Sequence, residues 1–518
     1  MLFLKNKPVG RVERVFKNAS WGIISKFINT LILFLGRTVF IHQLGEQYLG
    51  VSSLFANILT VLSLAELGFA EAITFSLYKP LAENDSKKVA QIMNFFKKVY
   101  ITIGIIIFVM GVCITPFVNL LVNNVPNIKE SIYVIFLLYI INTSCSYFYS
   151  YKSTLLEASQ EKYITSLAYT IICLIKTIIN CAILILTKNF ILYLIVEILG
   201  TVLYNILISY ITQKKYSDYL ISKETIEKSE KKDIIKNVKA MFFYKVSGVF
   251  LTSTDNIIIN SFVGTILVGK YSNYTLITTQ IHVFMLQIFN AFTASIGNLA
   301  ATETKEKQYE VFLKVLFVTF VIYCISSSLI LILITPFINF MWTDNYILPN
   351  ITVLLVTIIF YIMGTMTTFN SFRISNGLFV QGQYRPVAMV ILNIVLSLIL
   401  VKPLGINGVL IATIVARLGT EAWFDPYLIY KKVFKRSFKE YLKYYSKYTI
   451  TTIIIWIILI IISNYINVGS LFLEILIKAI ITLCVSTLII ILIYNKTDEF
   501  KYFKSIFKTY TKKLLNRH

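Results

Sequence analysis

Ionisable side chains interrupt the long apolar runs of this 518-residue chain, and twelve of them are the candidates for chemistry. They are Lys26, Arg37, Glu66, Glu71, Lys176, Glu197, Lys245, Asp255, Arg417, Glu421, Glu474 and Lys478. An ionised group at the centre of a membrane helix costs about 2.5–3.5 kcal/mol on the insertion scale, so one that persists usually faces a bundle interior or a wet cavity. Four of them, Lys26, Arg37, Lys176 and Arg417, could together line a cationic cavity. Arginine binds phosphate through two parallel hydrogen bonds, so such a cavity would suit a phosphate or pyrophosphate group. The same four could equally form separate local pairs. Lys176 has Glu197 in the next apolar run as a partner, and an anion site is its other reading. Glu66, Glu197 and Asp255 are the candidates for gating or for binding a coupling cation.

The remaining charges ask for less. Glu71, Lys245 and Glu421 lie near the inner ends of their runs and can extend to the interface. Glu474 and Lys478 stand four apart on one helix and can pair with each other. Three histidines and six cysteines with no C-x-x-C pair give no metal cluster, and the cysteines read as small packing residues. No catalytic nucleophile stands out.

The composition says what must position these groups. The chain is 57% hydrophobic and 14% charged, with mean hydropathy +0.73, which excludes a soluble enzyme, a disordered chain and an outer-membrane barrel. An all-α polytopic membrane protein remains. Fourteen spans are expected: Ala19–Ile41, Tyr48–Leu77, Val99–Val122, Ser131–Tyr151, Tyr163–Thr187, Phe190–Ile211, Ala240–Val263, Tyr271–Ala301, Val315–Trp342, Ile347–Asn370, Pro386–Val401, Ile406–Tyr430, Tyr448–Ile466 and Leu471–Tyr494.

The net charge of +23 would suggest a nucleic-acid partner on a soluble protein. Its placement argues otherwise. With the N-terminus in the cytoplasm, 39 of the 49 Lys and Arg fall on inner segments and four (Lys129, Lys188, Lys270, Lys402) on outer loops. The positive-inside rule then puts both termini in the cytoplasm, and no nucleic-acid partner is expected. Met1–Ser20 reads as a cytoplasmic tail with no cleavage site. In 495–518, Phe500, Phe503, Phe507, Tyr510 and Leu514 form one apolar stripe, as in an amphipathic helix on the inner leaflet.

The chain also repeats itself. Gly45-x4-Gly50 matches Gly264-x4-Gly269, and Ala72-x-Thr74-x-Ser76 matches Ala291-x-Thr293-x-Ser295. Ile114-Thr115-Pro116-Phe117-x-Asn119 matches Ile334-Thr335-Pro336-Phe337-x-Asn339, and Leu199-Gly200-Thr201 matches Leu418-Gly419-Thr420. The offset stays within 219–221 throughout, Tyr163 and Tyr384 included. The expected organisation is a tail (1–18), an N-lobe of spans 1–6 (19–211), a Lys/Glu-rich cytoplasmic linker (212–239), and a C-lobe of spans 7–12 (240–430). A loop (431–447), spans 13 and 14 (448–494) and the tail (495–518) complete it. An even number of spans per repeat makes the lobes parallel repeats, the plan of transporters that hold substrate at the repeat interface. The offset sets Arg37 and Asp255 at one depth, where they could latch an outer gate or form a static pair.

The run LGEQYLGVSSLFANILTVLSLAELGFAEAITFSLYKPL, from Leu44 to Leu81, resembles the flippases for lipid-linked polysaccharide repeat units. These form the polysaccharide-transport branch of the multidrug/oligosaccharidyl-lipid/polysaccharide exporter superfamily. Ser253-Thr254-Asp255-Asn256, Gly269-Lys270-Tyr271-Ser272-Asn273-Tyr274, Ala294-Ser295-Ile296-Gly297-Asn298-Leu299, Gln383-Tyr384-Arg385-Pro386 and Thr420-Glu421-Ala422-Trp423-Phe424-Asp425-Pro426 agree with it. The resemblance covers most of the chain, least after Lys443. It implies a two-lobed, V-shaped alternating-access transporter of the bacterial plasma membrane. Its substrate would be an undecaprenyl-pyrophosphate-linked oligosaccharide, moved from the inner to the outer leaflet for capsule, exopolysaccharide or another surface polysaccharide. Spans 1, 2, 7 and 8 would line the cavity. Related flippases use cavity arginines for the pyrophosphate, and Arg37 is the residue here in a comparable span. Membrane lipid is a further partner, association with a polysaccharide polymerase and glycosyltransferases is compatible, and no cofactor is implied. Na+, H+ and the membrane potential stay open as the drive. The alternatives are a multidrug/cation antiporter of the same superfamily, whose cavity should be acidic and aromatic, and a membrane polysaccharide polymerase or ligase, which would need a large outer loop. A lipid-binding scaffold is disfavoured by the duplication.

Overall fold

A computed structural model describes residues 11–63, 69–122, 128–220, 226–227, 231–232, 234–235, 253–302, 304–376, 378, 380–382, 384–502 and 504. Their regular structure is entirely helical. The helices are α1 (Arg11–Leu44), α2 (Glu46–Leu62), α3 (Phe69–Ala82), α4 (Ser86–Ile114), α5 (Val118–Leu121), α6 (Ile132–Tyr147), α7 (Ser150–Ala158), α8 (Lys162–Thr187), α9 (Phe190–Lys215) and α10 (253–262). They continue as α11 (Thr265–Thr302), α12 (Lys305–Trp342), α13 (Asn350–Thr365), α14 (Thr367–Ser375), α15 (Arg385–Leu404), α16 (Ile406–Gly419), α17 (Glu421–Ile429), α18 (Phe438–Asn464) and α19 (Leu471–Tyr494). The chain divides into two compact units, Met1–Gly269 and Lys270–His518.

Polar side chains close the helix ends, where backbone N–H groups lack intrahelical acceptors. Asp85 caps α4 by accepting from the Lys88 amide, Asn189 caps α9 through Leu192, Thr304 caps α12 through Lys307, and Ser437 caps α18 through Lys439. Between α8 and α9, Lys188 takes a left-handed conformation (φ 51°) that ends α8 and turns the chain back.

Ten helical segments among the described residues are long and apolar enough to cross a membrane. They match ten of the fourteen expected spans. The short eleventh run extends to a 20-residue helix, α15, enough for the hydrocarbon core. The other four differ for stated reasons. Positions 64–68 of the second span and 240–252 of the seventh lie outside the described residues. The eighth belongs to α11, which is rich in polar residues such as Ser272, Asn273, Thr275 and Gln280. The twelfth, expected as one helix over Ile406–Tyr430, is two helices of 14 and 9 residues broken at Thr420, whose φ of −130° and ψ of −70° leave the helical region.

The duplication is visible in the helices themselves. Gly45 (φ 83°) and Gly264 (φ 131°) both take positive φ just before α2 and α11, a conformation glycine reaches without a Cβ penalty. The capping residues Asp85 and Thr304 also stand 219 apart. The broken pair α6–α7 has 16 and 9 residues, and α13–α14 has 16 and 9. Packing repeats as well: α4 on α6, α6 on α9 and α8 on α9 in the first unit are echoed by α12 on α13, α13 on α16 and α15 on α16 in the second.

In the second unit α12 is the central helix, packed by α13, α14, α18 and α19. Phe320 stacks on Tyr448 at 4.4 Å, and Phe317 and Tyr494 pack around them. Of the expected C-terminal amphipathic helix, residues 498–502 are helical and most of the rest lies outside the described residues. Phe500 turns onto Phe317, so the stripe begins by covering α12.

Candidate functional site

The α8–α9 hairpin carries the charges of the first unit. On α8, Tyr169, Cys173, Lys176 and Asn180 step by four, three and four, so they share one face. Ile171, Leu174, Ile175 and Ile178 are exposed on the neighbouring face. On α9, Glu197, Thr201, Tyr204 and Asn205 share a face in the same way. The two polar faces meet. Lys176 Nζ donates to Glu197 Oε2 at 2.7 Å, and Asn180 Nδ2 donates to Glu197 Oε1 at 2.8 Å. Both side chains of the ion pair are 22% exposed. Gly200 makes the approach possible, since a Cβ there would lie 2.6 Å from Lys176 Cδ.

The glutamate is therefore engaged on both oxygens, while an ammonium has three N–H donors and Lys176 gives one of them to Glu197. Beside it lies a cavity of about 310 Å³, floored by Gly200, Thr201, Tyr204 and Asn205 of α9 and walled by α8 and the α6–α7 segment. Lys176 is the only charged residue among those that line it; Tyr147, Tyr169 and Tyr204 contribute rings, and Ser146 and Ser150 contribute hydroxyls.

Helix α1 lies along α8, where Asn29 donates to Thr170 at 3.0 Å and a Cβ at Gly36 would meet Thr177 Cγ2 at 3.1 Å. This puts Arg37 in the same region: Tyr139 and Tyr193 are both within electrostatic reach of Arg37 and of Glu197. Arg37, Lys176 and Glu197 are thus neighbours in one unit. Lys26, on α1, is half-buried and forms no ion pair among the described residues. Asp255 is buried on α10, and the adjacent Asn256 donates to Asn57 of α2 at 3.1 Å. Glu66 and Lys245 lie outside the described residues.

Arg417 belongs to the second unit and has close company. Its Nη1 donates to Glu421 Oε2 at 2.8 Å. Glu421 is only 17% exposed and is also 3.8 Å from Arg385 Nη1, so it is an interior ion-pair partner, not a group extended to the interface. Asp425, one turn on, faces Arg385 Nε at 3.4 Å and Arg373 Nε at 3.8 Å. Sequence reasoning placed Arg373 and Arg385 in an inner loop and gave them no role. Their signal was Glu421 and Asp425, two acids one turn apart with a single nearby cation. It likewise passed over Lys152, which is 7% exposed and hydrogen-bonded only to neutral Ser209 and Gln213 among the described residues. Glu474 and Lys478 pair on one helix at 2.6 Å, as their spacing suggests.

No family model matches the chain, and no curated protein matches it. Solved structures do. The lipid II flippase MurJ in its inward closed conformation is similar at a TM-score of 0.65 and 15% identity, over 92% of this chain and 98% of that one. An inward-facing multidrug resistance MATE family transporter of the MOP superfamily is similar at 0.60 and 14%, over 76% and 93%. An outward-facing MATE transporter is similar at 0.55 and 14%, over 81% and 98%. The chain shares the all-helical fold of these membrane proteins.

Proposed function

We propose that the chain is a flippase that moves an undecaprenyl-pyrophosphate-linked oligosaccharide from the inner to the outer leaflet of a bacterial plasma membrane, for assembly of a surface polysaccharide. The observation that carries this reading is the lining of the first-unit cavity, where Lys176 is the charged side chain among the described residues. An anionic head group suits that lining, and tyrosine offers flat, apolar rings with a polar edge. In this reading Arg37 and Lys176 receive the head group while the lipid tail stays in the bilayer. Fourteen spans, arranged as two parallel six-helix lobes plus two added helices, then alternate between inward-open and outward-open states. Asp255 or Glu66 supplies coupling, and both termini lie in the cytoplasm.

The multidrug antiporter reading has the MATE likeness on its side. A drug cation would meet a lysine at this cavity, while the carboxylate behind it is already paired with the Lys176 ammonium and hydrogen-bonded by the Asn180 amide.

The deciding experiment depletes the protein in its native host and follows lipid-linked repeat units by labelling from outside the cell. The proposal expects them to build up unlabelled on the inner leaflet, with surface polymer lost and then restored by the wild-type gene but not by Lys176→Ala. Normal surface polymer after depletion, together with ethidium efflux by the purified protein in vesicles, would hand the case to the antiporter.

A further inference from the structure

The exposed side of α18 sets two kinds of residue in one line. Lys439, Lys443 and Lys447 are followed by Ile450, Ile454 and Ile457, and steps of four, four, three, four and three keep all six on one face. All six are exposed, whereas Tyr441, Tyr448, Thr452 and Ile455 on the opposite face are buried. The apolar part of the stripe continues to Ile461, which is exposed as well. At 1.5 Å per residue, Ile450 to Ile461 covers roughly 16 Å, about one leaflet of a hydrocarbon core roughly 30 Å thick.

The lysine end of this stripe is uncompensated. Between Lys431 and Lys447 the chain carries seven cations, all exposed, and one acid, Glu440. Glu440 is taken by Arg436 at 3.3 Å and by the Tyr309 hydroxyl at 2.8 Å. Lys431 lies against Tyr427, and Lys447 lies over the Tyr494 ring. The ammonium groups of Lys432, Lys435, Lys439 and Lys443 have no partner among the described residues. Other basic stretches of the second unit pair within themselves: Glu310 takes Lys307 and Lys314 on α12, and Asp498 takes Lys501 beyond α19. The positive-inside rule accounts for the charge of such a segment, but it acts on loop charge and is indifferent to helical register. Register is what sets these ammonium groups directly in line with the isoleucines.

We infer that this face of α18 binds an anionic phospholipid, with the head group on Lys439, Lys443 and Lys447 and the acyl chains along Ile450, Ile454 and Ile457. The lipid has the same layout, a charged end on an apolar length of one leaflet. Each lysine near an anionic surface is worth about fivefold in affinity. A zwitterionic lipid offers a phosphate too, but its own ammonium cancels the charge, so the preference is for a net negative head group. Lysine suits a partner in a fluid leaflet, because its ammonium is a point charge on a flexible stem. Lys432 and Lys435 extend the positive surface along the turn before α18. The surface lies within the second unit, apart from the Lys176 cavity, and does not depend on what the protein transports.

The test uses the full-length protein in nanodiscs, with the six native cysteines replaced and Ile450→Cys carrying a fluorophore. The bilayer is an equimolar mixture of phosphatidylcholine and phosphatidylglycerol, in which one lipid or the other bears bromine on its acyl chains and quenches on contact. Ile391→Cys, at an exposed position of α15, is the reference, since the nearby Arg385 already faces carboxylates. At Ile450→Cys the quenching should report a local enrichment of phosphatidylglycerol of about fivefold or more, the worth of at least one lysine, and at Ile391→Cys none. Joint Lys439→Gln, Lys443→Gln and Lys447→Gln should bring Ile450→Cys down to the reference, and the matching arginine variants should keep the enrichment. Salt that shortens the Debye length to about 3 Å should remove most of it without any change to the lysines, which serves if the glutamine variant does not fold. The inference is overturned if both positions give the same ratio, as a role in orientation alone would have it, or if the enrichment survives the glutamine variant or high salt. It is also overturned if a small fraction of undecaprenyl phosphate displaces the brominated phosphatidylglycerol, which would make the face a docking place for a polyprenyl lipid instead.

Discussion

Gly50 and Gly269, equivalent positions of the internal repeat, meet backbone to backbone. A Cβ on Gly269 would fall 2.8 Å from the Gly50 nitrogen, and one on Gly50 would fall 2.3 Å from the Thr265 carbonyl oxygen. Each follows a positive-φ glycine by five residues, so one short motif supplies both the turn before the helix and the bare surface within it. This gives the repeated Gly-x4-Gly pattern a mechanical meaning: α2 and the first turn of α11 cross where neither can carry a side chain.

Gly269→Val should therefore drive the two backbones apart. Overpacking typically costs about 1–3 kcal/mol, and here the obstructing atoms are backbone and cannot rotate away. A lower melting temperature in detergent is expected for Gly269→Val and for Gly50→Val. Gly469→Ala, which would meet nothing within 4 Å, is the control and should melt as wild type. Equal melting of all three variants would mean that the crossing does not constrain the fold.

The Lys176–Glu197 pair yields a second prediction, through a double-mutant cycle. Lys176→Met leaves the Glu197 carboxylate between α8 and α9 with Asn180 as its one hydrogen-bond donor among the described residues, and breaking a buried pair costs about 3–5 kcal/mol. The 22% exposure of both groups puts the expectation at the low end, about 3 kcal/mol. Lys176→Met with Glu197→Gln should recover most of the melting temperature but not polymer export, because the cationic lining is gone. Recovery of export in the double variant would make the pair structural only. Gly200→Ala probes the same place gently: the lysine stem can shift, so the fold should hold while the ammonium moves off Glu197 and export falls.

How far the sequence could reach is clear from these residues. Lys176 and Glu197 are adjacent in topology, on consecutive spans joined by a tight turn, so pairing them needs only helix periodicity. Gly45 and Gly264 stood out in the sequence as a repeated motif, and the structure gives that motif a reason, because glycine is the residue that takes positive φ freely. Arg373 and Arg385 were hidden for a different reason. Their partners lie 36 to 52 positions further on, and they meet where the chain breaks at Thr420 and starts a new helix carrying Glu421 and Asp425. A hydropathy window reads 406–430 as one span and cannot see that break. The lining of the Lys176 cavity was also out of reach, since Tyr147, Tyr169 and Tyr204 come from three helices whose packing no periodicity specifies.

A third prediction separates Arg37 from Asp255. If they latch an outer gate, each single substitution to alanine should lower export with little loss of folded protein, and the charge-swapped Arg37→Asp with Asp255→Arg should regain part of it. Static pairing predicts another pattern, in which both single variants lose folded protein in proportion to export. Immunoblot level and surface polymer, measured together, tell the two apart. Normal export at normal protein level in both single variants would remove both residues from the site.

Orientation is the last prediction, and it rests on charge. Lys and Arg resist transfer across the membrane during insertion, so loops rich in them stay in the cytoplasm. By that rule the loop bearing Lys129 and the end of α15 bearing Lys402 face outward, whereas Lys88 at the start of α4 and Lys439 at the start of α18 face inward. Single cysteines at these four positions, in a background with the six native cysteines replaced, report on it directly. An impermeant maleimide applied to intact cells should label Lys129→Cys and Lys402→Cys, and should reach Lys88→Cys and Lys439→Cys only after permeabilisation. Inverted labelling would reverse the orientation. Labelling of Lys88→Cys and Lys439→Cys from opposite sides would break the even span count expected between them, and with it the parallel arrangement of the repeats that the proposed function assumes.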